Sequence, residues 1–289
     1  MENNLRVAGM VILYNPDWAE VCGNIKSYLP YLRQLYVFNN TEQTDIPLPP
    51  ELSVHPQIRY FNDGVNEGIA KRLNQGCDLA IDDGYGWLLT MDQDSEFALG
   101  DLSHYYKAIE SYPEKEKVAM FGVETDKTIV NEENAARVLY LITSGSIINL
   151  TLYHSIGGFD ENLFIDEVDL DYCYNAIVHG YNIVKFGKIV LEHQLGKSEQ
   201  KRSILTGKKT HRTFHSPERI YYIVRNNLYL RKKYGNEFRE LDKKRMITTF
   251  HRIKNRFLYK KGKFHLIATI IDAYNDFRRG QMGRKITTQ

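Results

Sequence analysis

Five short apolar runs, alternating with stretches of helical spacing, constrain this chain more than any other feature. Arg6–Tyr14 reads RVAGMVILY, apolar at nearly every position, which predicts a strand buried on both faces. Asn15-Pro16-Asp17 then turns the chain into a helix near Trp18–Tyr28. Leu35–Phe38, Ile58–Phe61, Trp87–Met91 and Val118–Val123 predict four further strands, and Asn66–Ile81 and Asp101–Tyr112 predict helices. Such alternation implies an α/β fold, a Rossmann-like, mainly parallel sheet with helices on both faces. Ligands of these sheets bind beyond the carboxyl ends of the strands. Asn15, Asn39, Asn40, Asp63 and the pair Asp92 and Asp94 all fall at such ends.

Charge divides the chain in two. The net charge of +2 conceals 25 Lys and Arg against 7 Asp and Glu over residues 197–289, and 13 against 29 over residues 1–196. We therefore expect a first domain over 1–196 and a basic, aromatic-rich helical region over 197–289, with helices in Ser216–Tyr234 and Leu241–Arg279. A basic tail seeks an anionic partner: phospholipid headgroups, a pyrophosphate-linked acceptor or nucleic acid. The N-terminus lacks a basic head followed by a long apolar run, and no stretch reaches the roughly 20 apolar residues of a membrane span. Cys22, Cys77 and Cys173 are odd in number and lack CxxC spacing, which predicts reduced thiols and no structural zinc. The expected location is cytoplasmic.

Chemistry concentrates in three places. Trp87–Phe97 reads WLLTMDQDSEF, a buried strand that ends on two carboxylates one residue apart. Paired carboxylates repel, and a hard divalent cation, Mg²⁺ or Mn²⁺, completed by phosphate oxygens of a nucleotide would reconcile them. A solvated turn is the plain alternative. Phe164–Asp171 reads FIDEVDLD, a second acidic cluster whose acids also suit the positive end of a helix. His193 follows the apolar run Ile189–Leu191, as a metal ligand or a structural hydrogen bonder. Thr143–Ser146 (TSGS) reads from its residue types as a buried polar turn.

Taken in order, VILYNP at 11–16, NEGIAKRLNQG at 66–76, LLTMDQDS at 88–95, TSGSIIN at 143–149, GGFDENLFIDEVDLDYC at 157–173 and HQLG at 193–196 resemble the family 2 glycosyltransferases of GT-A fold. The nearest likeness is to the rhamnosyltransferase-like enzymes, which SPERIYYIVRNNLYLRKKYG at 216–235 and RRGQMGRK at 278–285 also match. The resemblance implies an inverting hexosyltransferase that moves L-rhamnose from dTDP-rhamnose onto a cell-envelope polysaccharide or lipid-linked glycan. A different donor such as UDP-galactofuranose, or a non-catalytic nucleotide-sugar-binding protein, is the alternative. It further implies that Tyr14, Asn15, Asn39, Asn40, Asn66, Gly68 and Asp92 bind the donor. Asp94 and His193 would bind the metal. Asp169 would be the catalytic base, with Asp166 and Glu167 in reserve. Gly68 reads equally as a plain helix entry. The family's second-strand Asp is replaced by Phe38, and the Glu before the base and the Arg six residues beyond it by Val168 and Asn175.

A sugar nucleotidyltransferase would need a Gly-rich, basic triphosphate loop after the first strand, and LYNPDW offers neither. In the tail, Arg219, Arg225 and Arg231–Lys233 interleave with Tyr221, Tyr222, Tyr229 and Tyr234. Stacking on nucleic acid would use this pattern, but a solvated helix face with inward aromatics is the commoner outcome, and nucleic acid is disfavoured as a partner. Phe257–Arg279 mixes apolar residues with basic ones, which predicts peripheral contact at the inner face of the membrane; helix packing or an oligomer interface would carry the same stripe.

Overall fold

The computed structural model describes residues 5–126, 134–193, 198–202 and 208–286. The chain forms two compact units, one of residues 1–161 and 168–194, the other of 162–167 and 195–289.

The first unit runs β1 (Val7–Leu13), α1 (Trp18–Tyr28), β2 (Gln34–Asn39), α2 (Pro50–Ser53), β3 (Ile58–Asn62), α3 (Ile69–Asp82) and β4 (Trp87–Asp92). It continues through β5 (Ser95–Phe97), α4 (Asp101–Glu110), β6 (Val118–Glu124), β7 (Ala136–Arg137), β8 (Ser146–Asn149), α5 (Leu150–Ile156), α6 (Val168–Val178) and β9 (Asn182–His193). The strands form one sheet in the order β3-β2-β1-β4-β8-β6-β9-β5, with β7 on β9. Neighbours β3, β2, β1 and β4 are parallel, and so are β6 and β9. The short strands β8, β5 and β7 run antiparallel to their neighbours.

Both faces of β1 are buried, as its unbroken apolar run requires. Val7, Val11 and Leu13 join the core that holds Val21 and Ile25 of α1 and Leu102, Tyr105 and Ile109 of α4. On the opposite face Met10 meets α3 so closely that a Cβ on Gly76 would lie 2.5 Å from its sulfur. Capping follows sequence: Asp17 Oδ1 accepts from Ala19 N at the start of α1, and Asn149 accepts from Thr151 N at the start of α5.

Helices dominate the second unit, with α7 (Pro217–Tyr234), α8 (Arg239–Tyr259) and α9 (Lys263–Arg279). Ser216 caps α7 and Pro217 follows at its first position. Ile220, Tyr221 and Val224 of α7 pack with Leu266 and Ala273 of α9. The expected helical stretch Leu241–Arg279 is broken, because Gly262 takes a left-handed φ of 85°. An antiparallel hairpin, β10 (Ser198–Arg202) with β11 (Lys209–Thr213), adds a small sheet that the basic composition concealed. The apolar stripe divides: Leu266 is buried, while Phe264, Ile267 and Ile271 stay exposed. Among the described residues no helix is long and apolar enough to cross a membrane.

Candidate functional site

Parallel register lines up the carboxyl ends of the first unit's strands. Leu13, Asn39 and Asn62 stand in one cross-strand row, and Asp92 lies beside Ile12. Four loops leave this edge, and side chains tie them together.

The loop after β4 carries the paired acids. Asp92 is exposed and Asp94 half-buried, while the spacer Gln93 acts as an anchor. Its Oε1 accepts from Tyr14 N at 2.8 Å, and its carbonyl accepts from Asn24 Nδ2 at 2.8 Å. From below, the Ser144 hydroxyl accepts from Asp92 N at 3.1 Å and meets the Ser95 hydroxyl at 2.8 Å. The TSGS segment is thus a buried turn, with Ser144 and Ser146 almost fully enclosed. Gly145 takes φ 72°, and a Cβ there would lie 2.9 Å from Leu191. The β5–β9 ladder sets the backbone of His193 opposite Ser95, one residue past Asp94. The His193 side chain lies outside the described residues.

A second cluster holds the loops after β1, β2 and β3. Asn15, at φ 47°, donates its N–H to Thr41 Oγ1 at 2.8 Å. Asn39 and Asn40 are buried and engaged on both sides of their amides. Asn39 donates to Tyr60 and Asn62 and accepts from Thr41 N. Asn40 donates to Asn66 Oδ1 and accepts from Glu67 N and Arg72 Nε. Asn66 Oδ1 in turn accepts from Gly68 N, whose φ of 80° suits glycine before α3. Tyr14 stands exposed at the rim.

Arg72 is 2% exposed and spans the cluster, donating to Asp63 at 2.6 Å and to Val65 O at 2.8 Å. Its hydrogen bond holds the Asp63 carboxyl below the usual range. The same guanidinium covers the ring of Phe38, which also stacks on Phe61 at 4.8 Å. Phe38 therefore fills an interior slot and offers no polar group to a ligand.

The second acidic cluster is divided. Asp169 sits half-buried in the first turn of α6, where its Oδ1 accepts from Leu170 N at 2.8 Å. Asp166 and Glu167 belong to the second unit, both left-handed, at φ 64° and 68°. Asp166 pairs with Arg219 at 3.0 Å, and its carbonyl accepts from Asn226 Nδ2. Glu167 lies 3.7 Å from Arg245, and burial, outweighing that cation, raises its carboxyl pKa. Consecutive left-handed residues other than glycine cost of order 1–3 kcal/mol each and concentrate at functional turns.

The structure thus gathers Tyr14, Asn15, Asn39, Asn40, Asn66, Gly68, Asp92 and Asp94 at one sheet edge, with His193 in backbone register. Gln93, Thr41, Arg72 and Ser144 complete the arrangement. Arg72 and Gln93 stand within the motifs themselves, but only the fold reveals that they point inward. Among the described residues no three His, Cys, Asp or Glu side chains converge as a metal site. Carboxylate oxygens at a strand end still form a donor set of the hard kind that Mg²⁺ and Mn²⁺ accept.

No family model matches the chain. In sequence it is 24% identical over 253 residues to the dTDP-rhamnosyl transferase RfbF of Shigella flexneri, with 80% of this chain and 81% of that protein covered. In structure it is similar to S. aureus TarS 1-349 in complex with UDP-GlcNAc, at TM-score 0.57 and 13% identity over 94% of this chain and 80% of that one. A longer S. aureus TarS structure also matches at TM-score 0.57 and 14% identity, over 95% of this chain and 49% of that one. GalNAc-T7 with UDP, GalNAc and Mn²⁺ matches at TM-score 0.53 and 13% identity, over 67% and 44%. The fold is of the GT-A type. The chain thus spans about half of the longer TarS chain and less than half of GalNAc-T7.

Proposed function

We propose that this chain is a metal-dependent, inverting family 2 glycosyltransferase that moves L-rhamnose from dTDP-rhamnose onto a polysaccharide or its lipid-linked precursor. One observation carries the reading: the Asp92-Gln93-Asp94 turn closes a central parallel strand, pinned by Gln93 and Ser144 beside the loop of Tyr14 and Asn15. The likeness to RfbF supports the sugar.

In this mechanism residues 1–196 bind the donor. Tyr14 and Asn15 meet the base, and Asn66 and Gly68 bring backbone to the nucleotide. Asn39 and Asn40 act by fixing those loops, since their amides are already engaged. Asp92 holds the sugar or ribose. Asp94 and His193 would hold a divalent cation, which when bound neutralises charge on the departing diphosphate. Asp169 accepts the proton of the acceptor hydroxyl while that oxygen attacks the anomeric carbon and the bond to diphosphate breaks. A single displacement inverts the configuration. A cytoplasmic enzyme with a lipid-linked acceptor would meet the membrane through exposed Phe264, Ile267 and Ile271 among basic residues.

Asp169→Asn should abolish turnover of dTDP-rhamnose while calorimetry shows donor binding retained. Full turnover in that variant would refute Asp169 as the base. Asp94→Ala should remove Mn²⁺-dependent nucleotide affinity; an unchanged dissociation constant would refute its role.

A further inference from the structure

The second unit contains a cavity of about 380 Å³, lined by α7, α9 and the segment Gln281–Ile286. Arg225 reaches it from α7 and is fully buried. Its hydrogen bonds go to neutral oxygens: Tyr221 OH at 3.2 Å, Asn226 Oδ1 at 3.3 Å, Gln281 O at 3.4 Å and Gly283 O at 2.7 Å. Asp276 is reached only through Tyr221, whose hydroxyl donates to Asp276 Oδ2 at 2.6 Å. Burial and that bond push the Tyr221 pKa up to about 12, so the phenol keeps its proton. The faces of Tyr221 and Tyr222, 5.1 and 5.2 Å from the guanidinium carbon, soften the charge without cancelling it.

Three more cations line the same cavity: Arg279, Arg284 and Lys285. The lining also holds two carboxylates, Asp276 and Asp272, the latter 3.3 Å from Lys285 Nζ. Among the lining side chains cations outnumber carboxylates. An isolated buried charge is costly, and an anion in the adjoining space would offset it. Guanidinium groups around one small volume suit the oxygens of a phosphate, with Arg225 contributing mainly its charge because its own donors are engaged.

The geometry points to a binding site here for a phosphate-bearing group, either a free phosphate or diphosphate compound or the headgroup of an anionic lipid. The site is built wholly from second-unit residues and does not depend on the glycosyltransferase reading.

Calorimetry on the full chain, in EDTA and at constant chloride ionic strength, tests it with sodium pyrophosphate and with soluble dihexanoyl phosphatidic acid. EDTA suppresses metal-bridged binding at the strand ends. We expect saturable binding that weakens roughly tenfold or more in the Arg284→Gln, Lys285→Gln double variant. Asp272→Asn should strengthen binding a few-fold, a gain that a misfolded protein would not show. Similar affinities for the two probes would assign the site to small phosphate compounds, and a tenfold preference for phosphatidic acid to a headgroup. Absence of saturable binding by both probes, or an unchanged affinity in the double variant, would overturn the site.

Discussion

Among the described residues each unit buries one arginine almost completely, and the two are partnered in opposite ways. Arg72 sits against the Asp63 carboxylate and an asparagine amide, so its charge is answered within the first unit. Arg225 has only neutral oxygens in hydrogen-bond contact, beside a cavity with further cations. A guanidinium with its counter-ion is a clamp that locks loops. One that meets a carboxylate only through a tyrosine hydroxyl leaves more of its field in the space next to it. The contrast follows the composition, since acids outnumber bases in the first 196 residues and are scarce in the last 93.

Unfolding by urea offers the sharpest way to break the comparison. Arg72→Met removes the bonds that Arg72 gives Asn40, Gln75 and Val65 O together with the Asp63 ion pair, and at about 1 kcal/mol or more for each should cost about 3–5 kcal/mol. Arg225→Met strands only neutral acceptors and should cost about 1–3 kcal/mol. Equal losses would mean that both arginines are simple struts.

Acid-base behaviour sharpens the contrast further. Glu167 has a raised pKa through burial. Between its ordinary and raised values the folded state keeps a proton that the unfolded state has released, so stability falls as pH rises through that window. Glu167→Gln should flatten this fall in melting curves; a slope unchanged by the substitution would assign it to another group.

Asp63 behaves oppositely and more weakly. Arg72 lowers its pKa, so its stabilisation is present above the ordinary aspartate range and fades as pH falls through the lowered folded value. Its side chain is 49% exposed, and solvent screening limits the acid-dependent part of the stabilisation that Asp63→Asn removes to about 0.5–1 kcal/mol. A melting temperature that responds to acid identically in the variant and the parent would remove Asp63 from the account.

The parallel half of the sheet was legible because β1, β2, β4 and β6 are nearly continuous apolar runs that close on polar turns, and β3 is apolar apart from Arg59. Strand β8, with four residues, and β5, with three, are too short to carry a period. In β10 and β11, SEQKR and KTHRT contain no apolar alternation at all, so charge hid the hairpin. Gly262 marks the break between α8 and α9, inside a stretch whose apolar and basic residues continue on either side of it. At the candidate site the acids announced themselves, whereas Gln93 and Ser144 did not. Their importance lies in partners 79 and 52 residues away in the chain, which local pattern does not encode.

The spacer between the two strand-end acids deserves a mechanical reading. Through its side-chain amide Gln93 grips the backbone at Tyr14, and through its own carbonyl it is gripped by Asn24. The rim tyrosine and the acidic turn are thereby coupled like two jaws on one pivot. Replacing Gln93 would release both at once, so the rim and the acidic turn depend on a single residue for their relative position.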